Sequence, residues 1–194
     1  NLITPILFPP MRLFVALCTL AASLAPLFSQ TSAPAIKPPP APPRPPTMAN
    51  VPYGSHERQV LDFYKATSAK PTPLLFFIHG GGFVVGSKDA AVHDGTAFAA
   101  SGVVCVAINY RMGIDGFLPV PGAPTNLGLR DMLFALGWVQ RNIAAFGGDP
   151  ANVTIFGESA GAMAIADLVT PPLAEGLFAR ALIQCGHGAM VREI

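Results

Sequence analysis

Two glycine-rich stretches carry the residue types of nucleophilic catalysis. Gly157-Glu158-Ser159-Ala160-Gly161 has the form G-x-S-x-G. It directly follows the apolar run at 153–156 and directly precedes helical spacing at 160–169, the strand-to-helix setting in which the pattern exposes a serine on a sharp turn. A serine hydroxyl stays protonated at neutral pH and attacks only when a base takes its proton, so Ser159 needs partners. The glycines have a steric reason: a side chain at Gly157 or Gly161 meets the turn itself or the neighbouring strand. The second stretch, His79-Gly80-Gly81-Gly82-Phe83, leaves the apolar run at 74–78 as a loop of accessible backbone N–H groups. Attack on an ester carbonyl concentrates negative charge on its oxygen, and each preorganised donor there contributes about 3 to 4 kcal/mol to lowering the barrier. The expected donors are the N–H groups of Gly81, Gly82 and Ala160. Two bland readings stand beside these. Ser159 can be incidental to a plain strand-helix turn. The glycine loop can cradle phosphate, although it lacks the lysine of a P-loop and the G-x-G-x-x-G spacing of a dinucleotide site.

Positioning these residues requires a layered scaffold, and the hydrophobic pattern supplies one. Short, nearly continuous apolar runs occur at 74–78 (LLFFI), 103–108 (VVCVAI), 153–156 (VTIF) and 181–184 (ALIQ); continuous apolarity suits parallel strands covered on both faces. Between them lie helix candidates at 90–100, 129–143 and 160–169, with Leu133, Leu136, Val139 and Gln140 marking the period of the second. Strand and helix alternate, which predicts an α/β fold with a mostly parallel, doubly wound sheet. Turn signals fall at Gly147-Gly148-Asp149-Pro150 and Pro171-Pro172.

Composition bounds the rest. With 194 residues, 51% hydrophobic and 12% charged, the chain has the make-up of one globular domain. A formal net charge of +1 and the lack of a dense Lys/Arg cluster argue against a nucleic-acid partner. Met11-Arg12, the apolar run at 13–24 and the small residues at 21–23 have the order of a secretory signal, predicting a signal-peptide region at 11–33 and a secreted or periplasmic protein. The alternative, a membrane anchor, is disfavoured because the run is shorter than the roughly 20 residues a span needs and meets Pro26. Residues 1–10 read as translated upstream sequence, 34–46 (PAIKPPPAPPRPP) as an extended polyproline II linker, and 47–194 as the folded part. Of three cysteines, Cys18 belongs to the signal, while Cys105 and Cys185 lie in apolar runs where buried thiols are expected.

The runs Asn109-Tyr110-Arg111-Met112-Gly113, NLGLRD at 126–131 and ALGWVQRNIAAFGGDPANVTIFGESAG at 135–161 resemble the type B carboxylesterases, the cholinesterase and carboxylesterase group of α/β-hydrolases. The resemblance covers roughly residues 72 to 190. It implies an α/β-hydrolase fold and a serine esterase acting on a small-molecule ester, with no metal or organic cofactor. Its triad runs Ser, then Glu or Asp, then His along the chain. Carried over, Ser159 is the nucleophile, and Gly81, Gly82 and Ala160 form the oxyanion hole. Glu158 then tunes the field at the nucleophile, or else is a partly buried carboxylate paired with an arginine such as Arg111. Residues 47–73 look more like compact exported esterase and lipase relatives, in which VPYG…VLDFY opens the sheet.

The resemblance also places the acid and histidine beyond Ile194, so the chain reads as the N-terminal part of such a domain with the C-terminal part missing. Of the four histidines, His56 and His93 are expected to face solvent and His79 to be structural. His187, at the carboxyl end of the strand beside the elbow, is the candidate substitute base. Asp167, Glu175 and Glu193 follow Ser159, but none stands where the family has its acid. The competing function is a catalytically inactive fragment or a non-enzymatic, cholinesterase-like binding module.

Overall fold

A computed structural model describes residues 14–15, 45–170 and 172–186. Among the described residues seven strands, β1 (Phe14–Val15), β2 (Met48–Pro52), β3 (Val60–Tyr64), β4 (Thr72–Ile78), β5 (Val104–Ile108), β6 (Gly148–Glu158) and β7 (Arg180–Gln184), form one sheet. Its order is β1-β7-β6-β4-β5-β3-β2. The pairs β4–β5, β4–β6, β6–β7 and β1–β7 are parallel, and β3 joins β5, and β2 joins β3, in antiparallel fashion. The four apolar runs read from the sequence become β4, β5, β6 and β7 at the centre of this sheet. Parallel neighbours require crossovers, and these are the helices α1 (Thr96–Ala100), α2 (Gly113–Phe117), α3 (Leu127–Asn142) and α4 (Ala160–Leu168).

The core sits mainly on one face. Phe76 and Ile78 of β4, Val106 and Ile108 of β5, and Val153 and Ile155 of β6 pack with Met132, Leu136 and Val139 of α3 and with Ala164, Ile165 and Leu168 of α4. Strand residues alternate between faces, so Leu75, Phe77, Cys105 and Phe156 point the other way, toward Val92, His93 and Phe98. There the cover is thinner than both-face burial predicts: Thr154, Phe156 and Leu182 are only half-buried.

Several boundaries differ from the sequence reading. The helix expected at 90–100 is a 3-10 turn at Ala91–His93 followed by α1. Asp94 breaks it, its carboxylate accepting hydrogen bonds from the Thr96 N–H (2.8 Å) and hydroxyl (2.5 Å), the turn-forming competition typical of aspartate. The turn expected at 147–150 is confined to Gly147, at φ 88°; Gly148 already pairs with Thr72, and the register shifts before Val153. A bulge of this kind accommodates Pro150, which has no N–H to give a ladder. α2 was not foreseen, since its five residues, GIDGF, are too few to show a period. Cys105 is buried as expected but Cys185 is exposed, because it lies one residue past the end of β7, at φ 55°.

The expectations for residues 1–10, the signal region 11–33 and the linker 34–46 lie outside the described residues, save Phe14, Val15, Pro45 and Pro46. Among the described residues no helix is long and apolar enough to cross a membrane.

Candidate active site

Ser159 occupies the single residue between the end of β6 and the start of α4. Its backbone lies at φ 53°, ψ −119°, a conformation that L residues seldom adopt and that type II′ turns reserve for glycine. Two hydrogen bonds impose it: the Ser159 N–H donates to the Gln184 carbonyl (3.0 Å), and its carbonyl accepts from the Met163 N–H (2.9 Å). The flanking glycines are required for the same turn. A Cβ at Gly157 would lie 2.6 Å from the Gly161 carbonyl carbon, and one at Gly161 would overlap the Ile78 carbonyl oxygen. The latter contact brings α4 directly onto the end of β4, where the glycine loop begins.

That loop runs against the serine turn. A Cβ at Gly80 would sit 3.1 Å from Ser159 Cβ and 2.7 Å from Glu158 Oε2. Gly81, Gly82 and Phe83 follow at φ 111°, 64° and 63°, and the Gly81 carbonyl accepts from the N–H groups of Val84 and Val85, each at 3.1 Å. The far side is anchored on α2, through Gly113 N–H to the Phe83 carbonyl (2.6 Å) and through the Phe83 and Phe117 rings, 4.8 Å apart. Among the described residues no backbone carbonyl accepts from the N–H of Gly81 or Gly82. Ala160 opens α4, so its N–H has no intrahelical acceptor either.

The carboxylates and histidines sort differently from expectation. Glu158 is exposed and lies against Gly80. Its alternative pairing with Arg111 is corrected: Arg111 donates to Asp131 through Nε (2.8 Å), Nη2 (2.5 Å) and its backbone N–H (3.0 Å). The hydrogen bonds to Asp131 hold the Arg111 pKa above its ordinary value. Asp131, almost fully buried, also accepts from Gln59 Nε2 at 2.7 Å. α3 presents Asp131 one turn in, where it meets the segment after β5; Glu158 ends β6 and takes no part in that network.

His79 is fully buried, as the structural reading expected. Its ring stacks on Tyr110 (4.6 Å between centroids), and Nδ1 lies 2.8 Å from the Gly80 carbonyl oxygen. Burial pushes its pKa down to about 4. His56 and His93 are half-buried rather than solvent-facing. His56 Nδ1 accepts from the Arg58 N–H, and His93 packs on Phe77 at 4.8 Å with Nδ1 2.9 Å from the Ser87 carbonyl. Their places near the domain start and near a helix start suggested exposure; the ring contact of His93 came from packing. Among the described residues, no histidine hydrogen-bonds Ser159. Asp167 lies in the last turn of α4, its pKa raised by burial, and Glu175 is exposed. His187 and Glu193 lie outside the described residues. Among the described residues, no group of His, Cys, Asp and Glu is arranged to hold a metal ion.

Sequence reasoning passed over Tyr110, whose hydroxyl donates to the His79 carbonyl at 2.8 Å, and Asp131. Both stand inside the motif runs at 109–113 and 126–131, so the only signal was their neighbourhood. It also passed over the buried ion pair of Lys88 Nζ with Asp62 (2.8 Å), which Asp89 joins at 2.6 Å.

Residues 49–192 match the model of the carboxylesterase family. A para-nitrobenzyl esterase of Bacillus subtilis (strain 168) is 43% identical over 155 residues, covering 74% of this chain and 32% of that protein. A fumonisin B1 esterase of Sphingopyxis macrogoltabida is 50% identical over 120 residues, covering 58% of this chain and 22% of that protein. The chain thus spans a third or less of the length of these relatives.

Proposed function

The chain belongs to the carboxylesterase family, and from that premise we propose that the protein is a carboxylic-ester hydrolase in which Ser159 forms the acyl-enzyme. The observation that carries this reading is the backbone of Ser159, at φ 53°, ψ −119° between β6 and α4, with the glycine loop packed against it. Such strain persists only where surrounding structure enforces it and is common at reactive sites. In this reading Ser159 Oγ attacks the ester carbonyl carbon as a general base removes its proton. The carbonyl oxygen, now negative, accepts from the N–H groups of Gly81, Gly82 and Ala160. The intermediate collapses by breaking the bond to the alcohol oxygen, which leaves with the proton returned by the base. Water then repeats the sequence on the acyl-enzyme and frees the acid. Glu158, beside the serine, favours positive charge on the base, an effect softened by its exposure to solvent. The base and its acid partner are not assigned to described residues.

The substrate class is a small-molecule ester, and a para-nitrobenzyl ester, named for the Bacillus relative, is a suitable first probe. Export, read from the signal-peptide region at 11–33 in the sequence, belongs to the same proposal. The test is covalent labelling by a fluorophosphonate probe, which needs an activated serine and oxyanion donors. Wild-type protein is labelled and Ser159→Ala is not. Equal labelling of the two removes Ser159 from the role, and no labelling of either leaves the binding-module reading.

A further inference from the structure

A buried imidazole that the proposed chemistry does not use lies directly behind the glycine loop. His79 is fully buried, and Nε2 is the one buried side-chain nitrogen or oxygen among the described residues without a hydrogen-bond partner. Nδ1 faces the Gly80 carbonyl oxygen at 2.8 Å. A carbonyl oxygen only accepts, so the proton of the neutral ring resides on Nδ1 and the orphan Nε2 carries the lone pair. The opposite tautomer would oppose two lone pairs at Nδ1 and bury an unpaired N–H at Nε2, which is the costlier arrangement.

The Gly80 carbonyl and the Gly81 N–H belong to one peptide plane, trans like every peptide among the described residues, so they point in opposite directions. Holding the carbonyl onto the imidazole therefore turns the Gly81 N–H away from the buried ring. Glycine at both neighbouring positions leaves that plane with little torsional resistance of its own, so it needs an external hold. The ring is itself fixed by stacking on Tyr110 and by the Tyr110 hydroxyl bound to the His79 carbonyl at 2.8 Å. Gly86 completes the fit, since a Cβ there would lie 2.6 Å from both the Gly80 oxygen and His79 Nδ1.

We infer that His79 is a positioning residue of the esterase site, setting the Gly81 N–H toward the developing oxyanion through its Nδ1–H bond to the Gly80 carbonyl. The inference rests on the proposed role of Ser159 and adds a part for a histidine that is neither base nor ligand. The neutral state of the ring agrees with it: burial, with the nearby His93 and Arg58, outweighs the Gly80 contact and Asp89 and keeps the pKa near 4.

The test compares His79→Phe, which keeps a ring for Tyr110 but has no donor, with His79→Asn, whose amide N–H replaces Nδ1–H. Hydrolysis of a para-nitrobenzyl ester by the intact protein is followed with Ser159→Ala alongside. His79→Phe is expected to lower kcat about 10- to 100-fold with KM nearly unchanged, the signature of a donor misaimed at the transition state, and His79→Asn to recover most of the loss. Wild-type kcat in His79→Phe, or equal impairment in both variants, overturns the inference while leaving Ser159 in place; full activity in Ser159→Ala overturns the reading beneath it. A readout independent of turnover is the ring ¹⁵N spectrum of wild-type protein at pH 7, where His79 is expected to be protonated at Nδ1 alone. Protonation at Nε2 overturns the inference whatever the variants do.

Discussion

Replacing Ser159 by glycine should make the protein more stable than replacing it by alanine, although both remove the nucleophile. Alanine keeps a Cβ and therefore keeps the cost of φ 53°, ψ −119°; residues held in such regions cost about 1 to 3 kcal/mol. Glycine adopts the conformation freely but gives the unfolded chain more entropy, which offsets about 0.4 to 1 kcal/mol. At the middle of these ranges Ser159→Gly stands ahead of Ser159→Ala by about 1.3 kcal/mol, or roughly 3 to 5 °C in Tm for a domain of this size. The bonds of Ser159 to Gln184 and Met163 are all main-chain, so neither substitution removes them. Urea unfolding can be followed by the fluorescence of Trp138, the single tryptophan, half-buried on α3 against Phe146. Linear extrapolation for the two variants then compares like with like, provided their m-values agree. A Ser159→Gly protein no more stable than Ser159→Ala would show that the turn is unstrained. The feature that carries the functional reading would then be lost.

Asp131→Ala is expected to destabilise by about 3 kcal/mol, because it strands Gln59 Nε2 and three Arg111 donors that now meet one buried carboxylate. The Arg111 side chain, 19% exposed, reaches some water, which keeps the loss toward the lower end; a urea-measured change under about 1 kcal/mol contradicts the network's role. The pH dependence of stability has its own signature. His79 has its folded pKa lowered from 6.5 to about 4, so between those values the unfolded chain binds a proton that the folded one does not. Stability therefore falls as pH drops from about 6.5 toward about 4 and levels off below, by about 3 kcal/mol in all from this group. Subtracting the His79→Phe profile from that of wild type should isolate the slope, and identical profiles would refute the assignment.

Much of this was legible because it is local. Near-continuous apolar runs marked β4 to β7, since strands flanked by layers bury alternate residues on both sides. The helix read at 160–169 from spacing and the Pro171-Pro172 signal became α4, starting at Ala160 as read and ending one residue earlier, at Leu168. Gly157, Ser159 and Gly161 announced a sharp turn because a side chain at either glycine has nowhere to go, a requirement written within five residues. The glycines at 80–82 announced exposed N–H groups for the same kind of reason.

What the amino-acid order left open are the pairings between segments. The sequence reading offered Arg111 only Glu158 as a partner, and the packing of α3 beside the segment after β5 gave it Asp131 instead. His79, His56 and His93 differ little as letters, yet one ring is sealed beneath the glycine loop and the others lie half-covered at turns. Cys185 belongs to an apolar run, but one residue past a strand's end the chain turns out to solvent. The close approach of Gly80 to Ser159 joins two motifs far apart in the chain, and it exists because β4 and β6 are parallel neighbours that end at the same edge of the sheet. Steric demands on a turn act between adjacent residues and so can be read in order. Hydrogen bonds and charges act over a few ångströms of space, and which groups come that close is settled only when the elements pack.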